Sequence, residues 1–202
     1  MTTANNASSA AGPSMHPTNP PGAGTRRAAA PGPELDMFNR ASATVLKPQL
    51  TELSGSSAWA EHLLAARPFH TLGAALTTGD EALSRLSRSD VAMAIASHPA
   101  LGSAPEQGTA SEEEQATLLG TLGGDDAGAR ELARLSHEYE SRFGHVFLLC
   151  ARGRDAGEVL DALRSRIGND VETEWAETVE QLRLINRARL ADLIGDGERA
   201  AA

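Results

Sequence analysis

Apolar residues recur at three- and four-residue spacing over most of this chain, the signature of one buried face of an α-helix. Leu132, Leu135, Tyr139 and Phe143 form one such row, and Gly144 follows with the residue best suited to a left-handed helix end. Val159, Leu160, Leu163 and Ile167 form another, with Asp155 as the expected cap. The longest row covers residues 170–194, where Val171, Trp175, Val179, Leu182, Ile185, Arg189 and Leu193 trace a single stripe. Ser57 is the expected cap of a helix through Trp59, Leu63 and Leu64 that stops at Arg67 because Pro68 follows. Asp80 and Asp90 read as caps of short helices over 81–86 and 91–97. Pro48 interrupts an otherwise helical 42–53, where it costs about 3 kcal/mol or bends the helix.

Period-two alternation is confined to one strand-like segment, residues 145–151. The pattern therefore predicts an all-α fold: a single compact multi-helix bundle of about seven or eight helices. No repeat with a period of about 20 to 50 residues supports a solenoid. Residues 1–33 are rich in Ala, Pro and Gly with almost no large apolar side chain, so they are expected to form a disordered leader. The helical domain is expected over 34–196 and a flexible tail over 197–202.

Composition narrows the partners. The net charge is -9 and Lys47 is the only lysine, which argues against nucleic acid, whose phosphates require clustered cations. No stretch reaches the roughly 20 apolar residues of a membrane span. The single cysteine, Cys150, excludes an intrachain disulfide, reads as a small buried hydrophobe, and points to a reducing compartment. The final residues, Arg199-Ala200-Ala201-Ala202, are not a peroxisomal Ser-Lys-Leu signal, so a cytoplasmic location is expected.

Few residues suggest chemistry. The six histidines lack the helical spacing of a metal site, so no metal is expected. Gly120-Thr121-Leu122-Gly123-Gly124 has no following Lys-Ser/Thr and reads as a linker rather than a phosphate loop. His98 precedes Pro99, a pairing that ends a helix and puts the imidazole at a rim. Ser111 and Glu114 have the spacing of a capping box, yet the same spacing lets Glu114 point toward that rim. Arg166 lies at the edge of an apolar face, by default a snorkelling arginine.

Their order along the chain is more specific than any one of them. Gly55-Ser56-Ser57-Ala58-Trp59-Ala60, then Arg67-Pro68-Phe69, His98-Pro99, Ser111-x-x-Glu114-Gln115, Tyr139-x-x-x-Phe143-Gly144, Arg166-x-x-Asn169-x-x-x-x-Glu174 and Arg189-Leu190 together resemble the OHCU decarboxylase family. OHCU is 2-oxo-4-hydroxy-4-carboxy-5-ureidoimidazoline, an intermediate between urate and allantoin. The resemblance covers about residues 37–193, with Ser54 where the family often has cysteine and Ala100 where it often has a charged residue.

The resemblance implies a cofactor-independent decarboxylation of this small ureidoimidazoline, because the adjacent C=N bond of the ring accepts the electron pair that the carboxylate leaves behind. It implies His98 as general acid/base and Glu114 as the group that binds the substrate hydroxyl or orients the imidazole. Arg166 is expected to bind the anionic substrate, with Pro99, Ser111 and Gln115 as further contacts. Groups around Phe143 and Phe147 are expected to complete the pocket. A homodimer fits the family pattern, and the amphipathic C-terminal helix is a candidate surface for it. Two other classes remain open: a helical protein-interaction module, which requires a large exposed apolar patch, and another cofactor-free lyase or isomerase acting on a ureide.

Overall fold

The computed structural model describes residues 32–100 and 126–195, the side chains of 126 and 127 excepted. The described residues form eight helices and no strand. They are α1 (Pro33–Arg40), α2 (Ala43–Ser54), α3 (Ser57–Ala65), α4 (Leu72–Ser84), α5 (Arg88–Ala96), α6 (Asp126–Phe143), α7 (Ala156–Ile167) and α8 (Val171–Gly195). Ser111, Glu114, Gln115 and the expected Gly-rich linker lie outside the described residues, as do most of the expected leader and the tail.

Local chemistry explains where these helices start and stop. Asp155 caps α7 with Glu158 in a reciprocal capping box, each side chain accepting the other residue's backbone N–H at 2.9 Å. Asp170 Oδ1 accepts the N–H groups of Glu172 and Thr173 and so opens α8. Gly144, at φ 75°, follows α6 as expected. Three expected caps move. Ser56, not Ser57, caps α3 through the Trp59 N–H. Ser87 rather than Asp90 caps α5, because its hydroxyl stands three residues ahead and takes the Asp90 N–H. Asp80 caps nothing: Thr71 starts one continuous helix through Ser84, and the Asp80 carboxylate binds Arg183 and Arg187 of α8 instead. Pro48 sits within α2 as anticipated; it and Thr44, whose carbonyl loses its helical donor, are both exposed, so water can supply the missing partner.

Two hydrophobic clusters form the interior. The first joins α1–α5 to α8 around Trp59, Leu46, Leu50, Leu63, Ile95, Leu182 and Leu190. The second joins α6 and α7 around Leu132, Tyr139, Phe147 and Leu163. Burying each large side chain contributes about 1.5–3 kcal/mol. Between them runs the segment 145–151, which is extended but carries no strand partner. Its side chains alternate: Val146, Leu148 and Cys150 join the first cluster, while Phe147 and Leu149 join the second.

Helix α8 packs on α1, α2 and α4. Its most buried face is offset from the predicted stripe and carries Glu174, Thr178 and Gln181 ahead of Leu182, Ile185 and Leu190, whereas Val171 is 58% exposed. The offset has a physical cause, since the extended segment and Arg166 present polar groups that α8 must satisfy. Gln181 accepts the Cys150 N–H at 2.9 Å. Of the predicted stripe, Leu182, Ile185 and Arg189 are buried inside the protomer.

Two motifs of the sequence are fold devices. Trp59 donates its indole N–H to the Gly79 carbonyl at 2.7 Å, locking α3 to α4. Arg67 Nη1 donates to the carbonyls of Phe38 and Ala41, both at 2.8 Å, and so ties down the end of α1.

Candidate active site

The site is built outward from the end of α5. Pro99 forbids continuation of that helix, and the His98 N–H closes a tight last turn onto the Ile95 carbonyl at 3.0 Å. The Ala94 carbonyl accepts the Ser97 hydroxyl at 2.7 Å and the His98 ring at 2.8 Å. Since a carbonyl only accepts, the Nδ1 of His98 carries a proton. His98 was expected at a rim. The structure puts it at a helix end as anticipated, but with the side chain inside, at 6% exposure. Pro99 is half-buried beside it.

The end of α2 abuts the same turn. Gly55 lies in the left-handed region at φ 69°, and a Cβ there would come within 2.0 Å of Ser97 Oγ. Two residues before it, the Leu53 carbonyl accepts Arg189 Nη1 of α8 at 3.3 Å. A buried guanidinium thus reaches the α2 terminus that packs on the His98 turn. The sequence places Arg189 in the apolar stripe and, with Leu190, in the family pattern, without giving it a role; a charged residue at a core position is the available signal.

Arg166 occupies a different environment from the one expected of a substrate-binding residue. It is 7% exposed and turned inward. Its Nε and Nη2 both donate to Glu174 Oε1, at 2.9 and 2.5 Å, Nη2 also reaches Thr178 Oγ1 at 3.0 Å, and Nη1 holds the Leu148 carbonyl at 2.7 Å. Glu174 also accepts the Tyr139 hydroxyl and, at 2.8 Å, the Asn169 amide. Burial alone would push the Glu174 carboxyl up, but the hydrogen bonds from Arg166, Tyr139 and Asn169 outweigh it and hold the group below the usual carboxylate range. Burial, together with the bond to Glu174, pushes the Tyr139 phenol well above its ordinary value. The spacing of Arg166, Asn169 and Glu174 was visible in the sequence, but their mutual pairing was not.

Phe147 is buried in the second cluster with the Arg166 guanidinium 4.6 Å above its ring, and Phe143 packs at the cluster's edge against Tyr139. Their side chains therefore serve the core. Among the described residues no three His, Cys, Asp or Glu side chains group as a metal site, and no helix is long and apolar enough to cross a membrane. The exposed large hydrophobic residues, among them Met37, Val45, Leu72 and Met93, are distributed over separate helices.

This arrangement is an all-helical scaffold in which a buried histidine ends α5 and a buried arginine of α8 binds the end of the neighbouring α2. The OHCU decarboxylase family model matches residues 39–191, and the chain belongs to that family. It is 31% identical over 150 residues to the uric acid degradation bifunctional protein TTL of Arabidopsis thaliana, covering 70% of this chain and 45% of that protein. It is 26% identical to the 2-oxo-4-hydroxy-4-carboxy-5-ureidoimidazoline decarboxylase of Haloferax volcanii, covering 78% of this chain and 94% of the relative. A crystal structure of OHCU decarboxylase in the presence of (S)-allantoin superposes with a TM-score of 0.64 at 28% identity, covering 73% of this chain and 98% of the other. The chain spans less than half the length of the bifunctional relatives it matches.

Proposed function

We propose that this chain is a cofactor-independent carboxy-lyase that converts OHCU to (S)-allantoin and CO2 in urate degradation. The bond from the ring carbon to the carboxylate breaks, and its electron pair forms a C=C bond to the neighbouring ring carbon while the C=N pair moves to nitrogen and takes up a proton. The resulting enol then becomes a carbonyl: the hydroxyl gives up its proton, and the neighbouring carbon receives one on a single face. His98 serves the two transfers of the enol step through Nε2, taking the hydroxyl proton and returning it to carbon, because its Nδ1–H is fixed on the Ala94 carbonyl; water supplies the proton that the ring nitrogen takes up. That buried, tautomerically defined imidazole, within a chain of this family, is the observation that carries the reading.

Glu114 is assigned to the substrate hydroxyl or to imidazole orientation, and Pro99, Ser111 and Gln115 to ring contacts. Arg189, buried near the His98 turn, is the cation we assign to the substrate's charge. Arg166 is given a supporting role, because most of its donors already face Glu174, Thr178 and the Leu148 carbonyl. A full grip on the departing carboxylate would in any case stabilise the ground state and slow its loss. Backbone groups between Phe143 and Phe147 complete the proposed pocket. The single cysteine supports a reducing, cytoplasmic setting. The assembly we propose is a homodimer, which light scattering tests.

The deciding assay generates OHCU in situ from urate and follows the circular dichroism of the allantoin formed. Enantiomeric excess that depends on this protein supports the proposal, since spontaneous decay gives racemate. His98→Asn is expected to abolish that excess while helix content stays, and Glu114→Gln to lower turnover strongly with an unchanged melting temperature. A racemic product with the intact protein defeats the proposal.

A further inference from the structure

One oxygen is crowded from three sides where α2 meets α5. The Ala94 carbonyl takes the Ser97 hydroxyl at 2.7 Å and the His98 Nδ1–H at 2.8 Å, which occupies both of its lone pairs. From the third side comes Gly55: a Cβ there would stand 2.7 Å from that oxygen and 3.0 Å from Ala94 Cα, contacts that require something to shift. The nearest obstacle, Ser97 Oγ at 2.0 Å, is the end of a small side chain, but the next two are backbone of the turn that holds the histidine. The left-handed φ of Gly55 accounts for a glycine at a helix end in general. It does not account for the closeness. Gly144 and Gly153 adopt positive φ as well, at 75° and 77°, and a Cβ on either meets nothing within 4 Å.

We propose that Gly55 is a positioning residue for His98: by presenting no side chain it lets the end of α2 press against the Ala94 carbonyl, and the carbonyl so placed keeps the imidazole in its Nδ1–H tautomer. The carbonyl then does for this histidine what a carboxylate does in other acid/base sites. It selects which nitrogen exchanges protons, without adding a buried charge. The atoms nearest a Cβ on Gly55 belong to Ser97 and Ala94 and not to the imidazole, so a methyl group here acts through the displaced turn. The inference rests on the proposed use of His98 for its functional meaning, while its structural core concerns the tautomer alone.

The test uses full-length protein labelled with 15N in its histidines, observed where the rings are neutral. The His98 signals are assigned by their disappearance in His98→Asn, and in the native chain they should show Nδ1 protonated and Nε2 bare. Gly55→Ala is expected to shift these signals toward a tautomer mixture and to lower kcat by up to about 100-fold with little change in KM, as misplacement of a reacting group does. Should Gly55→Ala not fold, Gly55→Ala combined with Ser97→Gly removes the nearest obstacle and leaves the contact with the carbonyl. The tautomer shift is expected to persist in that variant. A native Nδ1–H pattern in either folded variant overturns the proposal. The two readings fail separately: full turnover by His98→Asn removes His98 from the chemistry, whereas an unmoved tautomer in Gly55→Ala removes Gly55 from the positioning of His98.

Discussion

Arg166 and Glu174, eight residues apart, meet across the turn between α7 and α8 with both side chains withdrawn from solvent, Nε to Oε1 at 2.9 Å. The pair is embedded in further bonds from Tyr139, Thr178 and Asn169, so neither charge is left to the apolar surroundings.

Breaking that pair from one side is expected to be costly. Arg166→Met or Glu174→Leu leaves its partner buried and uncompensated, a loss of about 3–5 kcal/mol. Glu174→Gln, which keeps the shape and part of the bonding, should cost less. Urea unfolding of the single variants and of the double variant Arg166→Met/Glu174→Leu checks this. The double variant should lose clearly less than the sum of the singles.

Acid and base should act on the same cluster from opposite ends. The depressed carboxyl of Glu174 contributes stability that is fully present above the unfolded value of about 4.3 and is lost as pH falls through the lower folded value. In Glu174→Gln the acid limb of a stability–pH curve should therefore flatten. The raised phenol of Tyr139 contributes stability that is present below about pH 10 and disappears as pH rises through the folded value. Because Tyr139 is the only tyrosine, alkaline absorbance titration reads it alone, and ionisation should coincide with unfolding.

The two buried arginines should separate kinetically. Arg189→Met is expected to raise KM for OHCU at least tenfold, about 1.4 kcal/mol of binding, because the substrate loses its cation. Arg189→Lys should recover only part of it, since an ammonium lacks the planar fork. Arg166→Met should instead show its main effect in the melting temperature. The reverse pattern would return the substrate-binding role to Arg166.

Asn186 is 3% exposed, and neither its amide nitrogen nor its oxygen has a hydrogen-bond partner among the described residues. It faces Trp59, Leu83 and Leu190 across a small hollow. Leucine reproduces its branched outline without a polar group to strand, so Asn186→Leu should stabilise by about 1–3 kcal/mol. Calorimetry on the variant is the check, and an unchanged or lower melting temperature counts against this account.

Much of the architecture was legible because its determinants are local. Asp155 with Glu158, Gly144 after Phe143 and the proline after His98 each act within four residues. What escaped depends on partners far along the chain. Asp80 looked like a cap because its true partners, Arg183 and Arg187, lie more than a hundred residues on. Periodicity put Val171, Trp175 and Val179 on the first turns of the α8 stripe, but there the buried residues are Glu174, Thr178 and Gln181, whose polarity answers Arg166 and the backbone at Cys150. For the candidate site, the helix end at His98 was visible through its proline, while the pairing of Arg166 with Glu174 and the reach of Arg189 to the Leu53 carbonyl depend on contacts distant in sequence.

The extended segment 145–151 gives its odd-numbered side chains Phe147 and Leu149 to one cluster and its even-numbered ones to the other. A slip of one residue would exchange both sets at once, stranding aromatic bulk in a space shaped for aliphatic groups, and no intermediate register suits either side. The two cores are for that reason stitched into a single cooperative unit. Fluorescence of Trp59 and Trp175 on one side and absorbance of Tyr139 on the other should report the same midpoint when the molecule melts.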